Sequence, residues 1–300
     1  MNSSFDLARE AATLAAGGQR HPAGALYVVG TPIGNLADIS LRALEVLGQA
    51  DLIACEDTRH SAGMLKQYGI AKPLMAVHEH NESQAAVAVI ERLQAGARVA
   101  YVSDAGTPGI SDPGGRLVAA VRSAGATVIP IPGASSLSTL LSVAGLQERS
   151  AVLFAGFLPS KAGEREKAWQ GLRQHDGAVV LLEAPHRLDT LAAEIGSLGP
   201  RRVTLGRELT KQFEEVVTLM AAELPAWLGQ EPHRRRGEFT VVLHPAALPQ
   251  EQAHHQRVLG LLLAHLPLKT AVKLSAEITG APRNILYELA LKLQQQERSE

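Results

Sequence analysis

Two short loops contain most of the residue types that could bind and orient a small ligand. The first spans 103–114 and reads SDAGTPGISDPG, and the second spans 131–136 and reads IPGASS. Glycine lets the backbone approach a ligand closely, proline fixes the backbone angle φ, and hydroxyls and carboxylates supply polar contacts. Asp104 can accept hydrogen bonds from an ammonium or hydroxyl group, and its alternative role is that of an Asx-turn or helix cap.

Other motifs exclude several classes of cofactor site and catalyst. Residues 30–34 read GTPIG, which is not the GxGxxG of dinucleotide-binding folds, and the chain has no GxxxxGK[ST] phosphate loop. Residues 133–137 lack the second glycine of a GxSxG nucleophile elbow. The string HEHNE, from His78 to Glu82, has glutamate where a zinc-protease helix needs its second histidine, so we expect no metal site.

Apolar runs supply the β-strands that must position the two loops. Short strands alternate with helical stretches from Ala25 onward, which predicts parallel βαβ units. In such a sheet, ligands bind beyond the carboxyl ends of the strands, where both loops lie. The predicted strands of the first half are 25–29, 51–54, 73–77, 98–102 and 127–131, with helices at 40–47, 82–93 and 137–144.

The second half of the chain predicts a second α/β domain, whose closely spaced later strands indicate a mixed sheet. Its expected strands are 151–154, 178–182, 202–205, 216–220 and 238–243. A polar linker at 245–252 precedes three amphipathic segments. We therefore divide the chain into a flexible lead-in (1–23), a first α/β domain (24–149), a second α/β domain (150–245) and a C-terminal helical extension (253–300).

Composition narrows the class of protein and its partners. The 300 residues are 46% hydrophobic, which allows a sizeable core and favours two domains. Because 29 basic residues face 30 acidic ones, a polyanion must be met by a local basic patch. The run HRRR at 233–236 is the obvious candidate for such a patch, but taken alone it is more typical of a solvated loop. The single cysteine, Cys55, with no secretion signal and no run of about 20 apolar residues, predicts a cytoplasmic protein.

Both ends of the chain leave alternatives open. Residues 1–20 are alanine-rich and predict a flexible lead-in or a short helix. Near the C-terminus, apolar residues at helical spacing on both sides of Gly280 predict two helices joined by a short turn, a helix-turn-helix shape. This hairpin either packs on the second domain or another subunit, or it contacts RNA. The hypothesis that the hairpin contacts RNA is supported by four basic side chains: Lys269, Lys273, Arg283 and Lys292.

Seven motifs, taken together and in order, resemble one known family. They are LYVVGTPIGNL (26–36), CEDTR (55–59), HEHNE (78–82), the loop 103–114, GFLP (156–159), EAPHR (183–187) and RELTK (207–211). The family is ribosomal RNA small subunit methyltransferase I, which is similar in fold to the tetrapyrrole methylases. The resemblance runs from about Gly24 to the C-terminus. It departs at Gly30, where the family often has alanine, and at Ala134-Ser135-Ser136, where the family has Pro-Ser-Ala.

The resemblance implies two α/β domains of tetrapyrrole-methylase type, with the cofactor cleft between them. It implies methyl transfer from S-adenosylmethionine to the ribose 2′-hydroxyl of a cytidine in the decoding region of 16S rRNA. It also implies a set of cofactor-binding residues: Pro32, Ser103, Asp104, Thr107, Ser135, Ser136, Leu182 and Glu183.

Positioning should contribute most to this reaction, because oriented reactants gain effective molarities of about 10⁵ to 10⁸ M whereas a general base adds about 10² to 10⁴-fold. A ribose hydroxyl is a poor nucleophile, so a base would still help. We expect Glu56 and Asp57 to act here, since they follow a strand and should face the cleft. An ion pair with Arg59 is an equally weighted alternative. The other candidates are His78, His80 and Glu82.

RNA binding is expected from basic residues on loops that open toward the cleft. These are Arg59, Lys161, Arg165, Arg187, Arg207 and Lys211. Aromatic residues are only 4% of the chain, so Phe157 is the best stacking candidate, with a core position as its alternative. The resemblance implies the small ribosomal subunit as partner, and related folds suggest a homodimer.

Two rival functions remain open from sequence. A tetrapyrrole methyltransferase would use the same cofactor pocket with a porphyrinoid acceptor, but it has no evident need for the arginines of the second half. A non-catalytic nucleic-acid-binding regulator would use the C-terminal hairpin, but it would not need two elaborate loops at strand ends.

Overall fold

The computed structural model describes residues 5–78, 80–146, 151–245 and 249–297, and its strands form two five-stranded sheets. The first sheet is parallel throughout, as predicted. Its strands are β1 (Ala25–Val29), β2 (Leu52–Cys55), β3 (Leu74–Ala76), β4 (Val99–Val102) and β5 (Thr127–Ile131), in the order β3-β2-β4-β1-β5. Every residue of β2 and β4 is buried, which explains their continuous apolar sequences.

Helices cover both faces of the first sheet. They are α1 (Asp6–Ala16), α2 (Leu41–Gln49), α3 (Thr58–Gln67), α4 (Glu82–Gln94) and α5 (Gly115–Ser123). Ser40 caps α2, because its hydroxyl accepts the Ala43 N–H at 3.1 Å. Of the two alternatives for residues 1–20, the described part forms a helix: Ala12 and Ala16 of α1 are buried, and α1 packs on α2.

The second sheet is mixed, as predicted. Its strands are β6 (Val152–Phe157), β7 (Ala178–Glu183), β8 (Arg202–Arg207), β9 (Glu215–Met220) and β10 (Phe239–Leu243), in the order β6-β7-β10-β8-β9. β6 is parallel to β7, whereas β10 is antiparallel to β7 and β8. Phe239 therefore pairs with both Glu183 and Arg207, which places the ends of three strands at one edge.

One helix joins the two sheets. Helix α6 (Ser136–Val143) begins directly after the loop that follows β5, and it packs on the second sheet. Its buried Leu140 lies in one apolar cluster with Val180 of β7 and Val242 of β10. This packing fixes the loop 131–136 of the first sheet against the second. Helices α7 (Ala162–Arg173), α8 (Leu188–Gly196) and α9 (Leu224–Gln230) complete this half.

Three helices form the C-terminal part: α10 (Pro249–Leu263), α11 (Leu268–Thr279) and α12 (Arg283–Glu297). They share an apolar cluster that includes Leu259, Val272 and Leu286. Gly280, at φ 74°, forms the turn before α12. Helix α10 begins inside the predicted linker 245–252. No helix in the described ranges is long and apolar enough to cross a membrane.

Some predictions fall on residues that the structure does not describe. These are the domain boundary at 149 and 150, Glu79 of the HEHNE string, and the side chain of Lys292. The division into domains stays a prediction.

Candidate active site

A cavity of about 420 Å³ lies between two edges, one from each sheet. The first cleft edge consists of the loops 30–35, 56–57, 103–114 and 132–136, at the carboxyl ends of the parallel strands. The second cleft edge consists of the strand ends at Phe157, Glu183, Arg207, Glu215 and Phe239. The volume is within the range of small-molecule sites. Its lining residues are Ile33, Ala105, Gly106, Thr107, Ile110, Ser111, Asp112, Ser135, Ser136 and Leu137 from the first half, and Phe154, Phe157, Leu182, Glu183, Ala184, Pro185, Leu209, Glu238, Phe239 and Thr240 from the second.

Backbone contacts tie the loops of the first cleft edge together. Gly30 and Gly133 approach so closely that a Cβ on Gly133 would lie 2.6 Å from the Gly30 carbonyl oxygen. The Thr31 N–H donates to the Gly106 carbonyl at 2.8 Å, and Thr107 Oγ1 donates to the Ala134 carbonyl at 3.2 Å. Three separate loops therefore form one rigid wall, which explains their content of glycine and small residues.

The predicted cofactor residues of the first half belong to the loops of this wall, although Pro32, Ser103 and Asp104 do not line the cavity itself. Thr107, Ser135 and Ser136 line the cavity, and the Ser135 hydroxyl is free of a helix-capping bond although Ser135 precedes α6. Pro32 is buried next to the lining residue Ile33. Ser103 is also buried, and its hydroxyl donates to the Ala105 carbonyl at 3.3 Å, so it shapes the loop from behind.

Three carboxylates gather at the first cleft edge. Asp104 Oδ1 accepts the Asp57 N–H at 3.2 Å, and Asp112 lines the cavity. Burial raises the pKa of Glu56, and the nearby carboxylates of Asp104 and Asp112 raise it further. Burial also raises the pKa of Asp112, with a further contribution from Asp104. This corner of the cleft is therefore electronegative and only partly hydrated.

Asp57 has a structural role in helix α3. Its Oδ1 accepts the N–H groups of Arg59 (2.7 Å) and His60 (3.2 Å), which makes it the N-cap and holds the pKa of its carboxyl below the usual range. It forms no ion pair with the Arg59 guanidinium within the described part of the chain. Of the predicted base pair, Glu56 alone has a carboxylate that is not committed to a cap.

None of the base candidates lines the cavity itself. Glu56 and Asp57 lie beside it at the first cleft edge, whereas Glu82, His78 and His80 make structural contacts. Glu82 is buried, and its Oε1 accepts the Gly114 N–H at 3.0 Å and the Leu117 N–H at 2.8 Å, so it caps α5. The rings of His78 and His80 lie 6.1 Å apart, and the His78 N–H donates to the side chain of Asn81. These contacts are those of a structural turn before α4.

Glu183 lines the cavity from the second sheet, but two arginines neutralise it. Its carboxylate lies 3.2 Å from Arg165 Nη1 and 3.2 Å from Arg187 Nε, and Arg165 also pairs with Glu194 at 2.7 Å. The Glu183 side chain is fully buried. Leu182, the other predicted cofactor residue on β7, lines the same wall.

The predicted RNA-binding residues divide into exposed and interior groups. Arg165 and Arg207 are 7% and 6% exposed, and Arg207 donates to the carbonyls of Arg236 and Phe213. Arg59 is exposed, and the Lys161 side chain is 82% exposed. The two remaining members are partly buried and ion-paired: Arg187 with Glu183, and Lys211 with Glu208 and Glu238.

The run 233–236 is exposed at His233, Arg235 and Arg236, as predicted for a solvated segment, but most of it is helical and not a loop. Pro232–Arg235 forms a short 3₁₀-helix in which the Arg234 guanidinium lies 4.1 Å from the centre of the Trp227 ring and pairs with Glu215. Arg235 pairs with Asp189. Two of the three arginines therefore serve the fold of the second half.

Several lining residues were not selected from sequence. Asp112 belongs to the loop 103–114, so its position in the motif was the available signal. Leu209, Phe239 and Thr240 lie on strands or loops that look like core, and only the sheet topology brings them to the cavity. In the described part of the chain, no group of three or more His, Cys, Asp or Glu side chains is arranged to hold a metal ion.

Comparisons of sequence place the chain in a family. The family described as Tetrapyrrole (Corrin/Porphyrin) Methylases matches residues 25–225, and the RsmI C-terminal HTH domain matches residues 249–294. The chain is 46% identical to "Ribosomal RNA small subunit methyltransferase I" of Pseudomonas aeruginosa over 278 residues, covering 91% of this chain and 98% of that protein. It is 46% identical to the protein of the same name from Escherichia coli O157:H7, covering 90% and 96% of the two chains.

Solved structures share the fold at low sequence identity. Diphthine synthase matches with a TM-score of 0.55 at 18% identity, covering 73% of this chain and 90% of that one. Uroporphyrin-III-C-methyltransferase from Thermus thermophilus matches with a TM-score of 0.51 at 22% identity, covering 74% and 94%. With the sequence relatives, these findings confirm the predicted fold: the chain belongs to the tetrapyrrole methylase superfamily and, within it, to the ribosomal RNA small subunit methyltransferase I family.

Proposed function

We propose that this chain transfers a methyl group from S-adenosylmethionine to the 2′-hydroxyl of a cytidine ribose in the decoding region of 16S rRNA. The observation that carries the proposal is the cleft between the two sheets, built from the motifs that this chain shares with the methyltransferase I family. The cleft supplies a pocket for the donor and a mouth, bordered by the second sheet, for a large acceptor.

The residues of the cleft fit a cationic sulfonium donor. Aliphatic side chains such as Ile33 and Leu137 line the cavity together with the hydroxyls of Thr107, Ser135 and Ser136. The carboxylates at the first cleft edge lack cationic partners among the described residues, so a positively charged ligand offsets their mutual repulsion. S-adenosylmethionine supplies an electrophilic methyl group on such a charge.

Different members of the predicted cofactor set act in different ways under this proposal. Asp104, Thr107, Leu182 and the two serines contact the donor. Pro32 and Ser103 hold the loops in place from behind. Glu183, neutralised by arginines, positions the end of β7 and the adjacent backbone of Ala184, whose N–H donates to Glu183 at 3.1 Å.

The proton of the ribose hydroxyl goes to Glu56 under this proposal. As the new O–CH₃ bond forms and the C–S bond breaks, the sulfur keeps the electron pair and becomes neutral. The Glu56 carboxylate takes the hydroxyl proton, and its raised pKa brings it nearer to the operating pH, where a general base is most effective. Asp57 is left to cap α3.

RNA approaches the cleft from the side where Arg59 and Lys161 are exposed. Phe157 lines the cavity and is 52% exposed, so its ring is available for stacking on a base. We leave Arg165 and Arg207 out of the RNA surface because both are buried. Arg187 and Lys211 act through the ion pairs that hold the second cleft edge.

The test is methyl transfer from labelled S-adenosylmethionine to small ribosomal subunits that lack the modification. We expect label in the RNA and 2′-O-methylcytidine in nucleosides analysed by mass spectrometry. A uroporphyrinogen acceptor serves as the control for the rival tetrapyrrole reaction. Label in the porphyrinoid and none in RNA would contradict the proposal, as would a protein that does not bind the donor in calorimetry.

We also propose that the protein is a cytoplasmic homodimer. The dimer follows from the resemblance to related folds, and light scattering of the purified protein measures it. A monomer at micromolar concentration contradicts this part alone.

A further inference from the structure

The segment joining β8 to β9, residues 208–214, is the most unusual piece of backbone at the cleft. Glu208 and Thr210 have φ angles of 50° and 67°, a region that non-glycine residues rarely adopt. Leu209 lines the cavity. The Lys211 side chain packs so closely on Gly34 that a Cβ at Gly34 would overlap it. This segment, which we call the β8–β9 loop, therefore touches both the cavity and the first cleft edge.

Interior contacts hold the β8–β9 loop in its strained conformation. The buried Arg207 guanidinium donates to the Phe213 carbonyl at 3.0 Å. Glu208 accepts the Glu238 N–H at 2.8 Å and pairs with Lys211 at 3.0 Å. Backbone strain of this kind persists only where the surrounding structure determines it, and it concentrates at functional sites.

The result of this clamping is that Phe213 faces solvent. Its side chain is 68% exposed, although its own carbonyl is fixed by a buried arginine. Aromatic residues are scarce in this chain, at 4%, and another exposed one, Phe157, lies at the opposite flank of the second cleft edge. The positive charge of Lys211, in the same loop, is neutralised by ion pairs with Glu208 and Glu238. The exposed apolar feature of the loop is thus the aromatic ring of Phe213.

We propose that Phe213 is a stacking platform for an unpaired base of the RNA substrate, a site that deepens the proposed function and rests on it. The strand order β6-β7-β10-β8-β9 puts three to four strand spacings between Phe157 and Phe213, or roughly 15–20 Å at about 4.8 Å per strand. One base cannot reach both rings. Two bases therefore stack at the flanks of the cleft, and the ribose between them enters toward the donor.

The test compares Phe213→Ala, Phe213→Leu and Phe213→Trp in methylation of small subunits. We expect the alanine and leucine variants to raise the KM for the RNA substrate roughly 5- to 100-fold, the effect of losing one base–aromatic stack, with unchanged affinity for the donor. The Phe213→Trp variant should keep the wild-type KM. The control is Met220→Ala, because Met220 is 44% exposed at the far end of β9 and should leave the KM unchanged.

A second measurement needs no catalysis. The tryptophan fluorescence that the Phe213→Trp substitution adds to that of the two native tryptophans should be quenched by a single-stranded oligoribonucleotide of the decoding-region sequence. The fluorescence added by Met220→Trp should not change. A leucine variant with the wild-type KM, or an unquenched tryptophan, overturns the inference and leaves the proposed function intact. If the oligoribonucleotide quenches the variant's emission but the wild-type protein methylates no RNA, the proposed reaction is overturned and the stacking site remains.

Discussion

The two cleft edges treat charge in opposite ways. At the first, Glu56, Asp104 and Asp112 lie close together, and no Lys or Arg of the described chain forms an ion pair with them. At the second, charged side chains occur in matched sets such as Glu183 with Arg165 and Arg187. The first cleft edge has unbalanced negative charge, whereas the charges of the second cleft edge are paired with one another.

This difference assigns separate tasks to the two halves. An unbalanced, partly buried edge favours a cationic ligand, because the ligand restores neutrality that the protein lacks. The second cleft edge, whose charges are paired, contributes shape through a rigid strand end and an exposed aromatic ring. We therefore expect substitutions at the second edge to affect stability most, and substitutions at the first edge to affect ligand affinity.

The largest effect should come from Arg165→Ala. Removing this side chain leaves Glu194 without its arginine and Glu183 with Arg187 alone, and breaking a buried ion pair from one side costs about 3–5 kcal/mol. We expect the free energy of unfolding, measured by urea denaturation, to fall by this amount. Lys161→Ala on the surface is the matched control, with a change below about 0.5 kcal/mol. Equal effects of the two variants would show that the second edge is not held by its buried pairs.

Asp104→Ala should weaken donor affinity roughly 10- to 100-fold, the value of a hydrogen bond to a charged group. Calorimetry with S-adenosylmethionine measures it. Asp51→Ala is a matched control, because Asp51 also accepts a backbone N–H, that of Arg98 at 2.7 Å, but lies at the start of β2 on the opposite edge of the sheet. If both variants bind the donor as the wild type does, Asp104 does not belong to the site.

Donor affinity should also depend on pH through the first edge. Because the pKa values of Glu56 and Asp112 are raised, both carboxyls take up protons at a higher pH than free ones do, and their negative charge is lost as pH falls. Affinity for a cation therefore falls about two- to tenfold between pH 7 and pH 5. Asp112→Asn should flatten this dependence, and binding should release protons near the raised pKa values. Affinity that rises toward pH 5 would contradict a cationic ligand at this edge.

The same pKa shifts carry the opposite sign for folding of the free protein. A carboxyl whose pKa is raised on folding stabilises the folded state below its unfolded pKa, and this contribution is lost as pH rises through the folded value. At neutral pH the unliganded first edge is therefore a source of instability that a bound cation removes.

The first sheet was well predicted from sequence, and the side-chain contacts at the cleft were not. Buried parallel strands such as β2 and β4 are continuous apolar runs, so their positions are visible in the sequence. Helix α3 was not predicted, because its sequence TRHSAGMLKQ is largely polar. Its N-cap, Asp57, was selected as a base because the residue types that cap helices are also those that do chemistry.

The interior arginines show the second limit of sequence reasoning. Arg165 and Glu183 are 18 residues apart on a helix and a strand, so their pairing depends on tertiary packing. Nothing local distinguishes Arg165 from the exposed Lys161 four residues earlier. The roles of the individual site residues therefore stay predictions, although the family and fold are confirmed.

The smallest effect should come from Arg59, an exposed cation in the first turn of α3, next to the first cleft edge. Arg59→Ala should weaken RNA binding roughly two- to fivefold and reduce the slope of log affinity against log salt concentration by about one, because one phosphate contact is lost. Arg122→Ala is the matched control: it is also exposed, but it lies in the last turn of α5, which runs back from the cleft to the opposite edge of the sheet. Filter binding across a salt series measures both. An unchanged slope for Arg59→Ala would mean that the first cleft edge binds only the donor and that the second cleft edge and the C-terminal helices recognise the RNA. Equal losses of affinity in both variants would indicate a diffuse electrostatic effect with no cleft-specific contact.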